Sequence, residues 1–440
     1  MKGNQLISAR YCQTLLPQTF GNGELNLAEL IDIGLMNNPS TKQTWAAARL
    51  ASAQYGQSLS TFYPNIQLMG QYDREKGSTS GAQSADPSLF AGTYSTTVGP
   101  DLLLTYTLFD FGQRSSAATA AREALYMADW THNQEMQTVV QTVMNSYFTY
   151  IFQQKVLIAN EANLEMASAS LDAANQKFSL GLVALGDVAQ ARTQYLQSKI
   201  NLTVQKQTVE NAFAQMAVNL GLPANVPFKV QAMPQNIEPE ILLESVDELV
   251  CIAQSQRQDL LAAEADLRSK QAALLNAKRA TYPVITTTLD IGKYWFQGGL
   301  VESNHWEALF QVSLPLFRGF FYKNGVKIAE ANLETSSANL MQTELSIIAS
   351  ITTSQMYVKT AALNLKDTEE YLKAADLEFK IALSSYKAGT KTILDVLSAQ
   401  SSVTDARSKR AGAEKDWFSS LAALSYATGS LCTQDTEEVK

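Results

Sequence analysis

Residues 113–180 and 326–388 contain neither glycine nor proline, two uninterrupted runs of 68 and 63 residues in a chain of 440. As continuous helix at 1.5 Å per residue, such runs would reach roughly 100 and 95 Å. Globular helices rarely exceed about 20 residues, so these lengths demand a coiled coil or a long bundle. The heptad is visible as Leu157, Leu164, Leu171 and Phe178 in the first run and as Leu365, Leu372, Phe379 and Tyr386 in the second. The segments that follow carry it back, through Val188, Tyr195, Leu202, Val209 and Met216, and through Val396, Val403, Trp417 and Leu424 with Arg410 interrupting. A strict seven-residue repeat drives left-handed supercoiling.

The two runs belong to a tandem duplication. A shift of 219 carries Glu29, Leu30, Ile33, Ala46, Arg49, Ala53, Tyr63 and Pro64 onto Glu248, Leu249, Ile252, Ala265, Arg268, Ala272, Tyr282 and Pro283. A shift of 208 carries Phe109, Ala121, Leu125, Gly181, Asp187, Val188, Ala191 and Gly221 onto Phe317, Ala329, Leu333, Gly389, Asp395, Val396, Ala399 and Gly429. The pattern predicts an N-terminal extension over 1–24, a first repeat over 25–221 and a connector over 222–244. A second repeat over 245–429 and a tail over 430–440 complete it. Each repeat reads as a first helix (27–62, then 245–281), a β-hairpin (65–110, then 284–317), a long helix (113–180, then 326–388) and a return helix (187–220, then 395–428). Tyr63-Pro64 and Tyr282-Pro283 end the first helices, because proline lacks an amide donor and biases its predecessor to extended geometry.

In the hairpins, Ile66, Leu68 and Tyr72 alternate with Asn65, Gln67 and Gln71, and Ile285, Leu289 and Ile291 keep the parity. The returning strands carry Leu102, Leu104, Tyr106 and Leu108, matched by Phe310, Val312, Leu314 and Leu316. Period two with one apolar face means half-buried strands, with turn-rich loops from Gly77 to Gly99 and at Gly298-Gly299. Four strands per chain cannot close around an interior, so closure requires several copies. Such strands suit either a bilayer-spanning barrel or a soluble sandwich, and the long helices favour the barrel.

Composition narrows the function. Charged residues make up 17%, against about 25% in ordinary soluble domains, while the hydrophobic share is 46%. A net charge of −8 without a basic cluster argues against nucleic acid, whose phosphates require Lys and Arg. No run approaches 18 consecutive apolar residues, which excludes a transmembrane helix, and no signal peptide is visible at the start. Cys12, Cys251 and Cys432 are widely separated and read as isolated thiols. His132 and His305 lack metal-spaced neighbours, and no nucleotide or hydrolase motif occurs, so neither cofactor, metal nor enzymatic activity is expected.

Tyr63-Pro64, Leu108-Phe109-Asp110-Phe111-Gly112 and Tyr386-x-x-Gly389-Thr390-x-Thr392-Ile393-x-Asp395-Val396-Leu397, in this order and spacing, resemble the outer membrane efflux protein (TolC-like) family. The resemblance spans about 25–430 and implies a mainly α fold with a β-barrel part. It implies a homotrimer whose 12-stranded outer-membrane barrel, four strands per chain, is continued by a long α-helical coiled-coil tunnel in the periplasm. It further implies a passive exit duct for drugs or secreted proteins in a Gram-negative cell. Partners would be a periplasmic adaptor (membrane fusion) protein, an inner-membrane transporter of RND, ABC or MFS type, and outer-membrane lipid. A non-channel coiled-coil scaffold of the cell envelope is the alternative.

Asp187 and Asp395 open the return helices, where a first-turn acid satisfies free amides and the helix dipole. The resemblance adds a periplasmic gate made by Tyr386, Lys391, Asp395 and Asp187, with Asp187 the hydrogen-bond partner of Tyr386. Lys391 stands where the family often has Arg and so lacks a bidentate fork. Ser398, one turn after Asp395, leaves a single acid ring where some relatives have two, and cation selectivity is expected. Gly181, Leu182, Val183, Gly389 and Thr390 read as tight-turn material and, by the resemblance, as the tips that dock the adaptor.

Overall fold

The computed structural model describes residues 23–77, 93–233, 245–296 and 301–432. The elements of the first repeat are β1 (Glu24–Leu25), α1 (Leu27–Asn37), α2 (Pro39–Ser60), β2 (Asn65–Gly77), β3 (Thr93–Phe109), α3 (Gln113–Ser179) and α4 (Leu185–Asn219). After β4 (Lys229–Val230) come α5 (Val246–Gln256), α6 (Gln258–Arg279), β5 (Val284–Phe296), β6 (Val301–Ser313), α7 (Phe321–Ala388) and α8 (Ile393–Thr428). The described residues fall into two compact units, one drawn from 23–46, 130–261 and 342–432, the other from 47–129 and 262–341.

The first helix expected in each repeat is two helices. Asn38 separates α1 from α2, where Pro39 takes the first helical position, and Arg257 separates α5 from α6. The break is built by the return helix. Gly221 and Gly429 end α4 and α8 with φ of +73° and +80°. A Cβ on Gly221 would lie 2.6 Å from the Asn37 carbonyl oxygen, and one on Gly429 would lie 3.0 Å from that of Gln256. The break residue then caps the return helix: Asn38 Nδ2 donates to Asn219 O at 2.9 Å, and Arg257 Nη1 donates to Ala427 O at 3.1 Å. Both repeats use one device with different donors.

The smaller unit holds a four-stranded antiparallel sheet in the order β2-β3-β5-β6, so the two hairpins join through β3 and β5. Register puts Leu68, Leu102, Ile291 and Trp306 in one cross-strand row, and Ile66, Leu104, Leu289 and Ala308 in the next, all on one face. Gln67, Asp290 and Glu307 occupy the opposite face, as alternation requires. Leu108 departs from the expected parity. A register shift between Thr107 and Phe109 places Phe109 opposite Ile285, so a bulge hands the apolar position to Phe109. Gly99 lies inside β3 rather than in the loop, and Leu314 and Leu316 follow the end of β6. Residues 78–92 and Gly298-Gly299, expected as turns, lie outside the described residues.

The strand-exit motif starts α3. Asp110 accepts from Arg114 N at 2.7 Å and Gly112 N at 3.2 Å, while Phe111 and Gly112 turn the chain with positive φ. The second long helix begins at Phe321, five residues before the expected 326, with Gly325 as its fifth residue. In this unit the buried Glu123 pairs with Arg268 at 2.9 Å and Arg122 at 3.0 Å.

Among its described residues the larger unit contains two apolar clusters. One gathers Leu30, Val139, Val143, Tyr147, Phe148, Ile151, Met216 and Leu220. Leu222, Phe228, Val230 and Met233 pack there too, and β1 pairs in parallel with β4, so this part of the connector is built into the core. Arg410, which breaks the heptad, donates to the Leu365 carbonyl and pairs with Glu414 at 3.2 Å, which also binds Lys155. The residues after α8 form a short 3-10 turn, Ser430–Cys432.

Candidate functional site

The second apolar cluster lies where the two helical hairpins of the larger unit turn. Ala173, Ala174, Ala191, Ala375, Phe379, Ala382, Tyr386, Ile393, Val396 and Ala399 form it, with Leu171, Val188, Leu372 and Leu397 against it. The alanines let four helices approach closely, and the heptad residues Phe379, Tyr386 and Val396 fill the seam.

Each long helix ends in the same turn. Gly181 (φ +70°) and Gly389 (φ +85°) adopt the left-handed conformation. Leu182 N donates to Lys177 O and Thr390 N to Ser385 O, both at 2.9 Å, which closes the last helical carbonyls. Gly181, Leu182, Gly389 and Thr390 are exposed and Val183 is half-buried.

The return helices start differently. Thr392 caps α8, its hydroxyl accepting from Asp395 N at 3.4 Å. Asp395 accepts from Thr392 N and Thr392 Oγ1, both at 2.8 Å. These bonds, with the Lys391 charge, hold the Asp395 carboxyl below its ordinary range. At the matching position of α4 stands Ala184, which has no hydroxyl and makes no side-chain cap. Asp187 is therefore released from capping, and its charge is felt at Tyr386.

Tyr386 is 1% exposed. Its hydroxyl has no hydrogen-bond partner, so the bond expected from Asp187 is absent: the carboxylate acts on the ring by charge alone. Burial, then the Asp187 charge, pushes the phenol up. Tyr386 is instead gripped by Lys177, whose ammonium donates to the Tyr386 carbonyl and sits 4.3 Å from the ring centroid. Lys391 is exposed and reaches Asp395 through charge. The structure thus brings Tyr386 and Asp187 together and puts Lys391 beside Asp395. Lys177 is the residue the sequence did not signal, because its acceptor is a backbone carbonyl 209 residues away.

His132 accepts or donates at Nδ1 with Thr44 Oγ1 at 2.8 Å and stacks tilted on Trp45. Among the described residues, no group of three or more His, Cys, Asp or Glu could hold a metal ion, and no helix is long and apolar enough to cross a membrane.

Residues 30–222 and 249–430 match the family described as outer membrane efflux protein. Outer membrane protein TolC of Salmonella enteritidis is 24% identical over 422 residues, covering 93% of this chain and 83% of that protein. The outer-membrane channel OprN superposes with a TM-score of 0.83 at 19% identity, over 92% of this chain and 90% of that one. The outer membrane protein VceC from Vibrio cholerae gives 0.80 at 21% identity, over 92% and 96%. The fold is TolC-like. With both repeats matched in full order, the chain belongs to the outer membrane efflux protein family.

Proposed function

We propose that three copies of this chain form an outer-membrane exit duct that passively conducts drugs, other small molecules or secreted proteins out of a Gram-negative cell. Each copy gives four strands to one 12-stranded barrel and its long helices to a periplasmic tunnel. A periplasmic adaptor protein and an inner-membrane transporter of RND, ABC or MFS type supply cargo and energy. Tyr386, Lys391, Asp395 and Asp187 form the periplasmic gate, and the turns at Gly181, Leu182, Val183, Gly389 and Thr390 meet the adaptor.

The observation that carries this reading is the sheet. It has an apolar face bearing exposed Ile66, Leu68, Tyr72, Trp306, Phe310 and Val312, and among the described residues the outer edges of β2 and β6 have no partner strand within one chain. Apolar side chains outward, polar side chains inward and open edges are the features that lipid and two further copies would satisfy. The helices agree, since α7 exposes Leu345, Ile348, Met356, Leu363, Leu377 and Ile381 along one side, and α4 exposes Leu185, Leu196, Ile200 and Val204. Two unlike apolar stripes on one chain suit a head-to-tail interface, which closes as a ring when successive copies are rotated by a third of a turn.

Membrane fractionation and cross-linking of the full chain test the proposal. A membrane-bound trimer that needs detergent, and that conducts in planar bilayers, is the expected result. A buffer-soluble monomer or dimer would overturn it in favour of the scaffold.

A further inference from the structure

Lys177 is tied to both tips of the chain. Its carbonyl accepts Leu182 N at 2.9 Å and so closes the first turn. Its ammonium donates to the Tyr386 carbonyl, in the last turn of α7, and so closes the second. That carbonyl also accepts Gly389 N at 3.0 Å, the bond that forms the turn itself. The final carbonyls of a helix lack intrahelical donors and carry the negative end of its dipole, so a cation there is doubly favourable. The ring of Tyr386 adds a second hold, with the ammonium over its face.

Among the described residues the two turns are otherwise joined by the apolar seam, and the remaining polar groups do not link them. Tyr386 Oη has no partner. Asp395 is occupied within its own helix start by Thr392. The next polar link between the hairpins lies deeper, where Gln400 Nε2 donates to Asn163 Oδ1 at 2.8 Å. Beyond that layer, among the described residues, the Lys177 bond is the hydrogen bond that fixes the second tip to the first.

We propose that Lys177 is a positioning residue that holds the two helical tips of each chain together and so keeps the resting duct narrow. The proposal rests on the export-duct reading and names a residue of its gate outside the set that sequence resemblance supplies. The tie acts inside one chain. When it breaks, only the apolar seam around Phe379, Tyr386 and Val396 still holds the second tip against the first. A charge-assisted hydrogen bond lost from one state of a two-state equilibrium shifts that equilibrium about tenfold.

The test compares full-length wild type, Lys177→Met and Lys177→Arg. Methionine keeps the length and apolar stem while removing the charge; arginine keeps a cation able to reach the carbonyl. In planar bilayers, Lys177→Met is expected to raise resting conductance or open probability by about tenfold and Lys177→Arg to restore wild-type values. In parallel, spin labels at positions 182 and 390 report tip separation by pulsed dipolar spectroscopy. The distribution should broaden to longer distances in Lys177→Met and return in Lys177→Arg. Unchanged distances in Lys177→Met overturn the tie. Broadened distances without a conductance change overturn its role in keeping the duct narrow. A wild-type protein that never conducts counts against the duct itself, while the distance measurement, which needs no conduction, still judges the tie.

Discussion

Tyr386 carries a buried hydroxyl that meets neither donor nor acceptor, in a seam filled mainly by alanine, valine, isoleucine and phenylalanine. Such a group costs free energy that the ring around it does not. Tyr386→Phe is therefore expected to leave resting conductance unchanged and to stabilise the protein by about 1 kcal/mol, read as a higher melting temperature at neutral pH. The alkaline limb makes a second readout. Burial and Asp187 raise the phenol, so above pH 10 the unfolded chain releases a proton that the folded chain still holds, and stability falls as pH rises. Tyr147 and Tyr150 are raised by burial as well, so the variant should lose part of that decline and keep the rest. A lower melting temperature for Tyr386→Phe at neutral pH would show that the hydroxyl is bonded after all. The acids were legible in the sequence because both open a return helix, but their division of labour was not. It turns on Thr392 against Ala184, a hydroxyl present at one helix start and missing at the other.

At the scale of elements, the repeat explains what local sequence leaves out. Asn38-Pro39 marks a helix boundary in the first repeat, yet Arg257-Gln258 carries no breaker at all. The second break follows from the first through the 219 shift and from the glycine that ends the return helix against it. The same shift logic locates the start of α7, since 208 carries Gln113 onto Phe321, whereas the glycine-free run begins too late. The long helices, by contrast, were readable from the absence of glycine and proline alone, because nothing interrupts 67 residues of α3. The test of the shared break is Gly221→Ala or Gly429→Ala. Each combines positive φ with a Cβ pressed on backbone, so each should cost about 1–3 kcal/mol, seen as a lower denaturant midpoint. Gly186→Ala, near the start of α4 with nothing within 4 Å, serves as the comparison and should be neutral or slightly stabilising. Equal effects at 186 and 221 would sink the idea that return-helix glycines build the breaks.

For the whole molecule the question is what covers the apolar side of α7. Leu345, Ile348, Met356, Leu363, Leu377 and Ile381 recur at intervals that keep them on one side of a 3.6-residue helix, and all are exposed in the single chain. The buried positions of the same helix, Ile351, Val358, Leu365, Ala375 and Phe379, already form the intrachain seam. An amphipathic helix spends one stripe on its own core; a second stripe needs a second surface. In a threefold ring every copy of that stripe is covered once, so one substitution acts three times. Leu363→Glu should remove about 2 kcal/mol of apolar burial at each interface and bring in a charge with no partner. The expected outcome is loss of the cross-linked trimer. Asn364→Glu places the same charge one residue further on, about 100° around the helix at another exposed position, and should leave the trimer intact. If Leu363→Glu trimerises as well as Asn364→Glu, the stripe faces water or lipid instead of a neighbouring copy, and the ring must be held by the strands alone.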